Sequence, residues 1–380
     1  MQSPSSTNDG SLLIHSGILI DGEGSRPGWL LVENGQVVGV GAPDEPLPPA
    51  VHLIDASNGY VVPGFVDIHC NGAGGAHCQD GADEALRTLQ TMRSHGTTRL
   101  LASLVTASID SLVSSIEQLH VAMDQDPALI GIHLEGPFLA PERVGAHDLR
   151  YLRHPDPQSI DRLLAAANGR LRKVTVAPEL PGALDAISTF VEAGVSVAIG
   201  HTDCDYATAR LAFERGATLV THAFNAMAPI TGRAPGVLGA AFATEHVTIE
   251  VIADGLHVHP ASVALLFRAA PGRVALVTDA MAAAGAPAGR YRLGTVDVEV
   301  TDDRAVVAGT TTLAGSTLTP DRALQVAVKE CGVPVDQAVA ALTTTPALAI
   351  AEQSTPSLAP GHRAEVLVLD ARFSVVHVVA

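Results

Sequence analysis

Apolar residues along this chain fall into two patterns. In residues 12–56 they form short runs broken by Gly, Asp and Pro: SLLIHSGILID, GWLLVENGQVVGVG and VHLIDA. Asn34-Gly35, between LLVE and QVVGV, is a hairpin signal, because both residue types accept the positive φ of a tight two-residue turn. This stretch therefore predicts a small β-sheet, and AEVLVLDARFSVVHVVA at 364–380 reads the same way. Pairing of the two ends would make one small β-sandwich domain, with the middle of the chain inserted between its halves.

The middle follows the second pattern. Eight nearly all-apolar runs recur there: YVVPGFVDIHC (60–70), TRLLASLV (98–105), LIGIHLEG (129–136), KVTVAPE (173–179), VSVAIGH (195–201), ATLVTH (217–222), VTIEVIAD (247–254) and VALVTDA (274–280). Such runs suit parallel strands covered on both faces. Amphipathic stretches such as ADEALRTLQTMRSH, GALDAISTFVEA and CDYATARLAFERG separate several of them. Eight strand–helix units in a row predict an α/β fold of the (β/α)8 TIM-type barrel class, with a doubly wound open sheet as the alternative. The domain reading is a disordered tail over 1–11, a small β domain from 12–59 and 355–380, and a barrel over 60–354.

Composition narrows the function classes. Of 380 residues, 47% are hydrophobic types, enough for a sizeable core, and the formal charge of -17 disfavours nucleic acid or an anionic membrane as partner. MQSPSSTNDG lacks the basic-then-apolar order of a secretory signal, and no apolar run reaches the length of a membrane span. Cys70, Cys78, Cys204 and Cys331 form no C-x-x-C pair and read as free thiols. Together these features point to the cytoplasm.

The candidate chemistry sits where the runs end. His69 closes the first, Glu135 the third, Glu179 the fourth, His201 the fifth, His222 the sixth, Asp254 the seventh and Asp279 the eighth. In a barrel these positions share the C-terminal rim, where active sites are built. One such residue would be an ordinary strand cap; seven at matching positions point to a site. A catalytic metal needs about three imidazole or carboxylate ligands and an open position, which Glu135, His201 and His222 supply. Asp279 can take a proton from an activated water and return it to a leaving nitrogen.

The stretches PGFVDIHCNGAGG (63–75), HLEGPFLAPERVGAH (133–147), GHTDCDY (200–206), THAFNAM (221–227), ADGLHVHP (253–260), LVTDAM (276–281) and LAGSTLT (313–319) together resemble the N-acetylglucosamine-6-phosphate deacetylase family of the amidohydrolase superfamily. The resemblance implies hydrolysis of N-acetylglucosamine 6-phosphate to glucosamine 6-phosphate and acetate. It implies Glu135, His201 and His222 as ligands of the principal metal, Asp279 as general base and acid, and His147 beside the acetamide. Asn225 and Ala226 would contact the phosphate, joined by Arg233 and His257 across the interface of a homodimer. Leu313, Ala314, Gly315 and Ser316 would line the sugar pocket.

The superfamily often carries His-x-His after the first strand, yet here the segment reads His69-Cys70-Asn71. One tight metal is therefore expected, Zn²⁺ first and Fe²⁺, Mn²⁺ or Co²⁺ as alternatives, with His69 available to a weaker second ion. Arg143 reads as a solvated loop charge, with a substrate-loop residue as the alternative, His259 as structural, and Cys70, Cys78 and Cys204 as small buried hydrophobes. The neighbouring readings are a deacetylase of N-acetylgalactosamine 6-phosphate or another N-acyl amine and, from a different class, a non-catalytic scaffold of the same fold.

Overall fold

The structure, a computed structural model, describes residues 10–22, 24–352 and 354–380. The tail expected over 1–11 lies outside the described residues except for Gly10 and Ser11, and Ser11 already opens a strand, Ser11–Asp21.

The barrel strands are Phe65–Cys70, Thr97–Val105, Leu129–Glu135, Leu171–Val176, Ser196–Ile199, Leu219–Val220, Thr248–Val251 and Val274–Leu276. Each pairs in parallel with the next. Between the eighth and first strands the ring is nearly closed by a parallel bridge from Cys70 to Ala280. At that seam Asp279 N–H donates to the His69 carbonyl at 2.8 Å. Below it, the buried Asp67 carboxylate accepts from Thr278 Oγ1 at 2.5 Å, and burial pushes its pKa up to about 6. Helices Ala82–Ser94, Ala183–Glu192 and Tyr206–Glu214 cover the outside where the amphipathic stretches place them.

The first apolar run departs from its reading as a single strand within the barrel. Gly59–Pro63 belongs instead to the sheet built by the chain ends, pairing with Val366–Asp370 and with Ile18 and Leu19. Gly64 makes the break. Its N–H donates to the Glu365 carbonyl at 2.7 Å, and a Cβ there would lie 2.1 Å from Thr98 Oγ1. Gly64→Ala is expected to cost about 1–3 kcal/mol through overpacking. An unchanged thermal midpoint would contradict that.

The sandwich expected of the chain ends is one hydrogen-bonded sheet of seven strands. Its order is Val375–Val379, Val366–Asp370, Gly59–Pro63, Ser11–Asp21, Gly24–Glu33, Gln36–Gly41, with His52–Asp55 beside Ser11–Asp21. The turn at Asn34 and Gly35 has φ of 49° and 71°, as the hairpin signal requires. Side chains alternate between two cores: Val61, Val366 and Val368 pack with Leu12, Ile14 and Leu30, while Val62, Leu367 and Leu369 face the barrel helices. Both faces are buried, so these strands read as continuous apolar runs.

A third sheet, Gly289–Leu293, Val296–Thr301 and Arg304–Val307, is inserted after the eighth barrel strand and went unforeseen. Leu293, Val298, Val300 and Ala305 pack against Val105 and Met281 at the barrel rim. This places the insert over the site. Among the described residues no helix is long and apolar enough to cross a membrane.

Candidate metal and active site

Glu135 is the last residue of the third barrel strand, whereas His201, His222 and Asp279 lie just beyond the fifth, sixth and eighth. These three have left-handed backbones, with φ of 47°, 23° and 47°. Side chains bearing a Cβ tolerate that region at a cost of about 1–3 kcal/mol each, and such outliers concentrate at functional sites. Here each one follows a strand end and sends its side chain to a common point.

At that point Nε2 of His201, Nε2 of His222 and Oε1 of Glu135 lie 3.0 to 3.2 Å from one another. His201 Nδ1 is 2.9 Å from the Arg143 carbonyl oxygen, which can only accept, so the proton of the neutral ring is on Nδ1 and Nε2 offers its lone pair. Electron-pair donors this close and this buried repel unless a cation lies among them. The spacing approaches the edge of about 3.3 Å for a tetrahedron with ligand bonds of about 2.0–2.1 Å. The residues therefore fit a divalent metal.

A second group converges from the other side of Glu135. His69 Nε2 lies 3.3 Å from Glu135 Oε2 and 3.4 Å from Asp279 Oδ1. Burial opposes charge on this ring, yet the Glu135 and Asp279 carboxylates lift its pKa to about 10. Asn71 donates its Nδ2–H to Asp279 Oδ1 at 2.8 Å and so orients that carboxylate. Burial also raises the Asp279 pKa above its ordinary value. His147 accepts from Thr106 N–H at Nδ1, 3.3 Å away, so its Nε2 carries the proton and faces Glu135 Oε2 at 3.6 Å. Burial, reinforced by His201, holds the His147 pKa down to about 3, and the ring is neutral.

Above these groups opens a cavity of about 450 Å³. Its walls include His147, Asn225, Ala226, His257, Leu313 and Gly315, all foreseen from the sequence. His257 is aimed by Asp254, whose Oδ2 accepts from Nδ1 at 2.6 Å, leaving Nε2 for the cavity. Three foreseen residues lie elsewhere. Ala314 is fully buried against the inserted sheet, and Ser316 faces inward, its Oγ donating to the Thr278 carbonyl at 2.6 Å. Alternation explains both, since Leu313 and Gly315 take the cavity side. Arg233 is exposed on the loop after the sixth strand and does not line this cavity.

Further residues line or adjoin the site, and of these Arg304, Lys173 and Glu250 were not read from the sequence. Arg143 lines the cavity and forms an exposed ion pair with Asp203 at 2.6 Å, the placement of the substrate-loop alternative. Arg304 enters from the inserted sheet, which no motif marked. Lys173 and Glu250 lie beneath His69; a charge inside an otherwise apolar strand was the available signal. His259 caps the helix Pro260–Ala269, accepting from Ala261 N–H. All four cysteines are buried and free, and burial pushes the Cys78 and Cys204 thiols up to about 12, unlike metal-ligating thiolates.

The sequence matches the model of the amidohydrolase family over residues 60–379. It is 33% identical over 321 residues to an N-acetylglucosamine-6-phosphate deacetylase of Vibrio furnissii, covering 83% of this chain and 80% of that one. It is 34% identical over 352 residues to an N-acetylgalactosamine-6-phosphate deacetylase of Escherichia coli O157:H7, covering 91% and 93%. In three dimensions it is similar to the N-acetyl-D-glucosamine-6-phosphate deacetylase of Mycobacterium smegmatis, solved as a mutant in complex with N-acetyl-D-glucosamine-6-phosphate. That match has a TM-score of 0.92 at 41% identity and covers 97% of each chain.

Proposed function

The chain belongs to the amidohydrolase family, and from that membership we propose that it hydrolyses N-acetylglucosamine 6-phosphate to glucosamine 6-phosphate and acetate. The observation that carries this reading is the meeting of Glu135, His201 and His222 at the floor of a sugar-sized cavity, with Asp279 and a neutral His147 beside them.

Members of the family are generally dependent on a divalent metal, and Glu135, His201 and His222 would hold it here. Such an ion supplies Lewis acidity, making a water nucleophilic at neutral pH and polarising the acetamide carbonyl. Asp279, held by Asn71, accepts the proton of the attacking water and returns it to the departing nitrogen. Its raised pKa suits a group that must both take and give. His147 directs its Nε2–H into the cavity and stabilises the negative charge that develops on the carbonyl oxygen. Zn²⁺ suits this ligand set, with one tight site and His69 serving at most a weaker second ion.

Asn225, Ala226 and His257 form the phosphate end of the cavity. Arg233, exposed and outside its own cavity, reaches the partner's phosphate site in a homodimer. The longer match to the galactosamine enzyme keeps the C4 epimer as the second reading.

One preparation tests all of this, by acetate release from N-acetylglucosamine 6-phosphate, its galactosamine epimer and unphosphorylated N-acetylglucosamine. Two or three charge-assisted contacts to phosphate are expected to favour the phosphorylated sugar by about 10²-fold or more in kcat/KM. Equal values for the two would overturn the phosphate reading, and faster turnover of the epimer would exchange the substrate. The dialysed protein is expected to hold one metal per chain and to sediment as a dimer; two full equivalents, or a monomer, would contradict those assignments.

A further inference from the structure

Beneath the three ligand residues the barrel interior holds two charges that the chemistry above does not use. Lys173 lies within the fourth strand and Glu250 within the seventh, and both are fully buried. Lys173 Nζ is in direct contact with Glu250 Oε1 and donates to the Ile68 carbonyl at 3.3 Å. The other oxygen, Glu250 Oε2, lies 3.4 Å from His69 Nδ1. Contacts therefore run from Lys173 through Glu250 to His69, whose Nε2 faces Glu135 and Asp279.

A lone carboxylate would be out of place here, because Glu135 and Asp279 already bury negative charge on the far side of the same ring. Lys173 makes the pair neutral, so Glu250 can stay ionised without adding net charge to the site. With Glu250 accepting from Nδ1–H, the Nε2 proton is the one a bound cation would displace, and Nε2 would then present its lone pair to the site. Nε2 itself has no hydrogen-bond partner among the described residues. An ion pair of this kind is often replaceable by apolar residues without loss of stability, so stability alone does not account for it.

We propose that Lys173 and Glu250 are positioning residues: the ion pair holds Glu250, and Glu250 holds the ring plane and tautomer of His69. His69 Nε2 is then directed at Glu135 and Asp279, and at a divalent cation bound beside them. The proposal rests on the metal-hydrolase reading above.

Single substitutions would strand a buried charge and unfold the barrel, so the test compares two double variants of the full chain. Lys173→Met/Glu250→Leu removes the ion pair and the acceptor. Lys173→Met/Glu250→Gln removes the ion pair but keeps an amide oxygen for His69 Nδ1–H. Co²⁺ affinity by visible absorption, thermal midpoint, and kcat and KM for N-acetylglucosamine 6-phosphate are measured for both.

Both are expected to melt near the unchanged protein. The leucine variant should lose about 10–100-fold in Co²⁺ affinity or kcat with KM within about twofold, and the glutamine variant should recover most of that loss. Equal behaviour of the two variants, whether both active or both impaired, overturns the proposal. Should leucine unfold the barrel, Lys173→Met/Glu250→Met makes the same comparison with a more adaptable side chain. If the unchanged protein releases no acetate while the Co²⁺ affinities still differ, the substrate reading fails and the positioning role stands. If the unchanged protein is fully active while the two variants match in affinity and rate, the positioning role fails and the substrate reading stands.

Discussion

Asp279→Asn is expected to lower kcat by about 10³- to 10⁴-fold while metal content stays close to that of the unchanged protein. The substitution is unusually clean at this position. Asparagine has the same shape and tolerates the left-handed backbone of φ 47° better than other residues, so little new strain is added. Its amide oxygen can still accept from Asn71 Nδ2, which now lies 2.8 Å from Oδ1. What disappears is the ability to take a proton from the attacking water and hand it to the leaving nitrogen. The acid limb of the pH–rate profile, which reports ionisation of this carboxyl above its ordinary pKa, should vanish from any residual activity. Steady-state kinetics with metal analysis decides the matter. A kcat within tenfold of the unchanged protein would remove Asp279 from the mechanism, and a non-catalytic scaffold would show no rate to lose.

Glu135→Gln should have a different signature, loss of the metal itself. Glu135 touches both sides of the site: Oε1 meets His201 and His222, and Oε2 meets His69 and His147. A glutamine keeps one oxygen but turns an NH2 toward one of these groups, and removes the only carboxylate among the three principal ligands. With the Lewis acid lost, several kcal/mol of transition-state stabilisation go with it, about 10³-fold or more in kcat/KM. Added Zn²⁺ should restore only part of the rate, whereas Asp279→Asn should not respond. Full metal occupancy in dialysed Glu135→Gln would displace Glu135 from the ligand set.

Much of this site was legible because parallel strands wrapped by helices leave few places for polar groups. Glu135, His201, His222 and Asp279 each close an apolar run, and in such a fold a run's end is the barrel rim. The motifs around them added specificity that spacing lacks. Asn71 was legible only as a departure from His-x-His; that it holds Asp279 became visible through a contact spanning 208 residues. Lys173 sits at no strand end, so no run end marks it, yet a charge inside an apolar strand marks the barrel interior. Its partner Glu250 lies three strands away, and no local pattern links them.

Gly64 shows where local pattern misleads. YVVPGFVDIHC is apolar throughout because both of its halves are covered, so hydropathy could not show that the halves belong to different sheets. The inserted sheet over 289–307 brings Arg304 to the cavity from a stretch with no chemical motif.

The strand-end places of Glu135, His201, His222 and Asp279 and the eight-stranded barrel were legible in the sequence alone, through periodicity, run ends and motifs. The protonated nitrogen of His201 and of His147, the inward turn of Ala314 and Ser316, the exposure of Arg233 and the ion pair beneath His69 were decided by tertiary structure alone. The reason is physical: strand ends and hydrophobic periods are local properties of the chain, whereas a tautomer or a buried ion pair is set by groups brought together from distant segments.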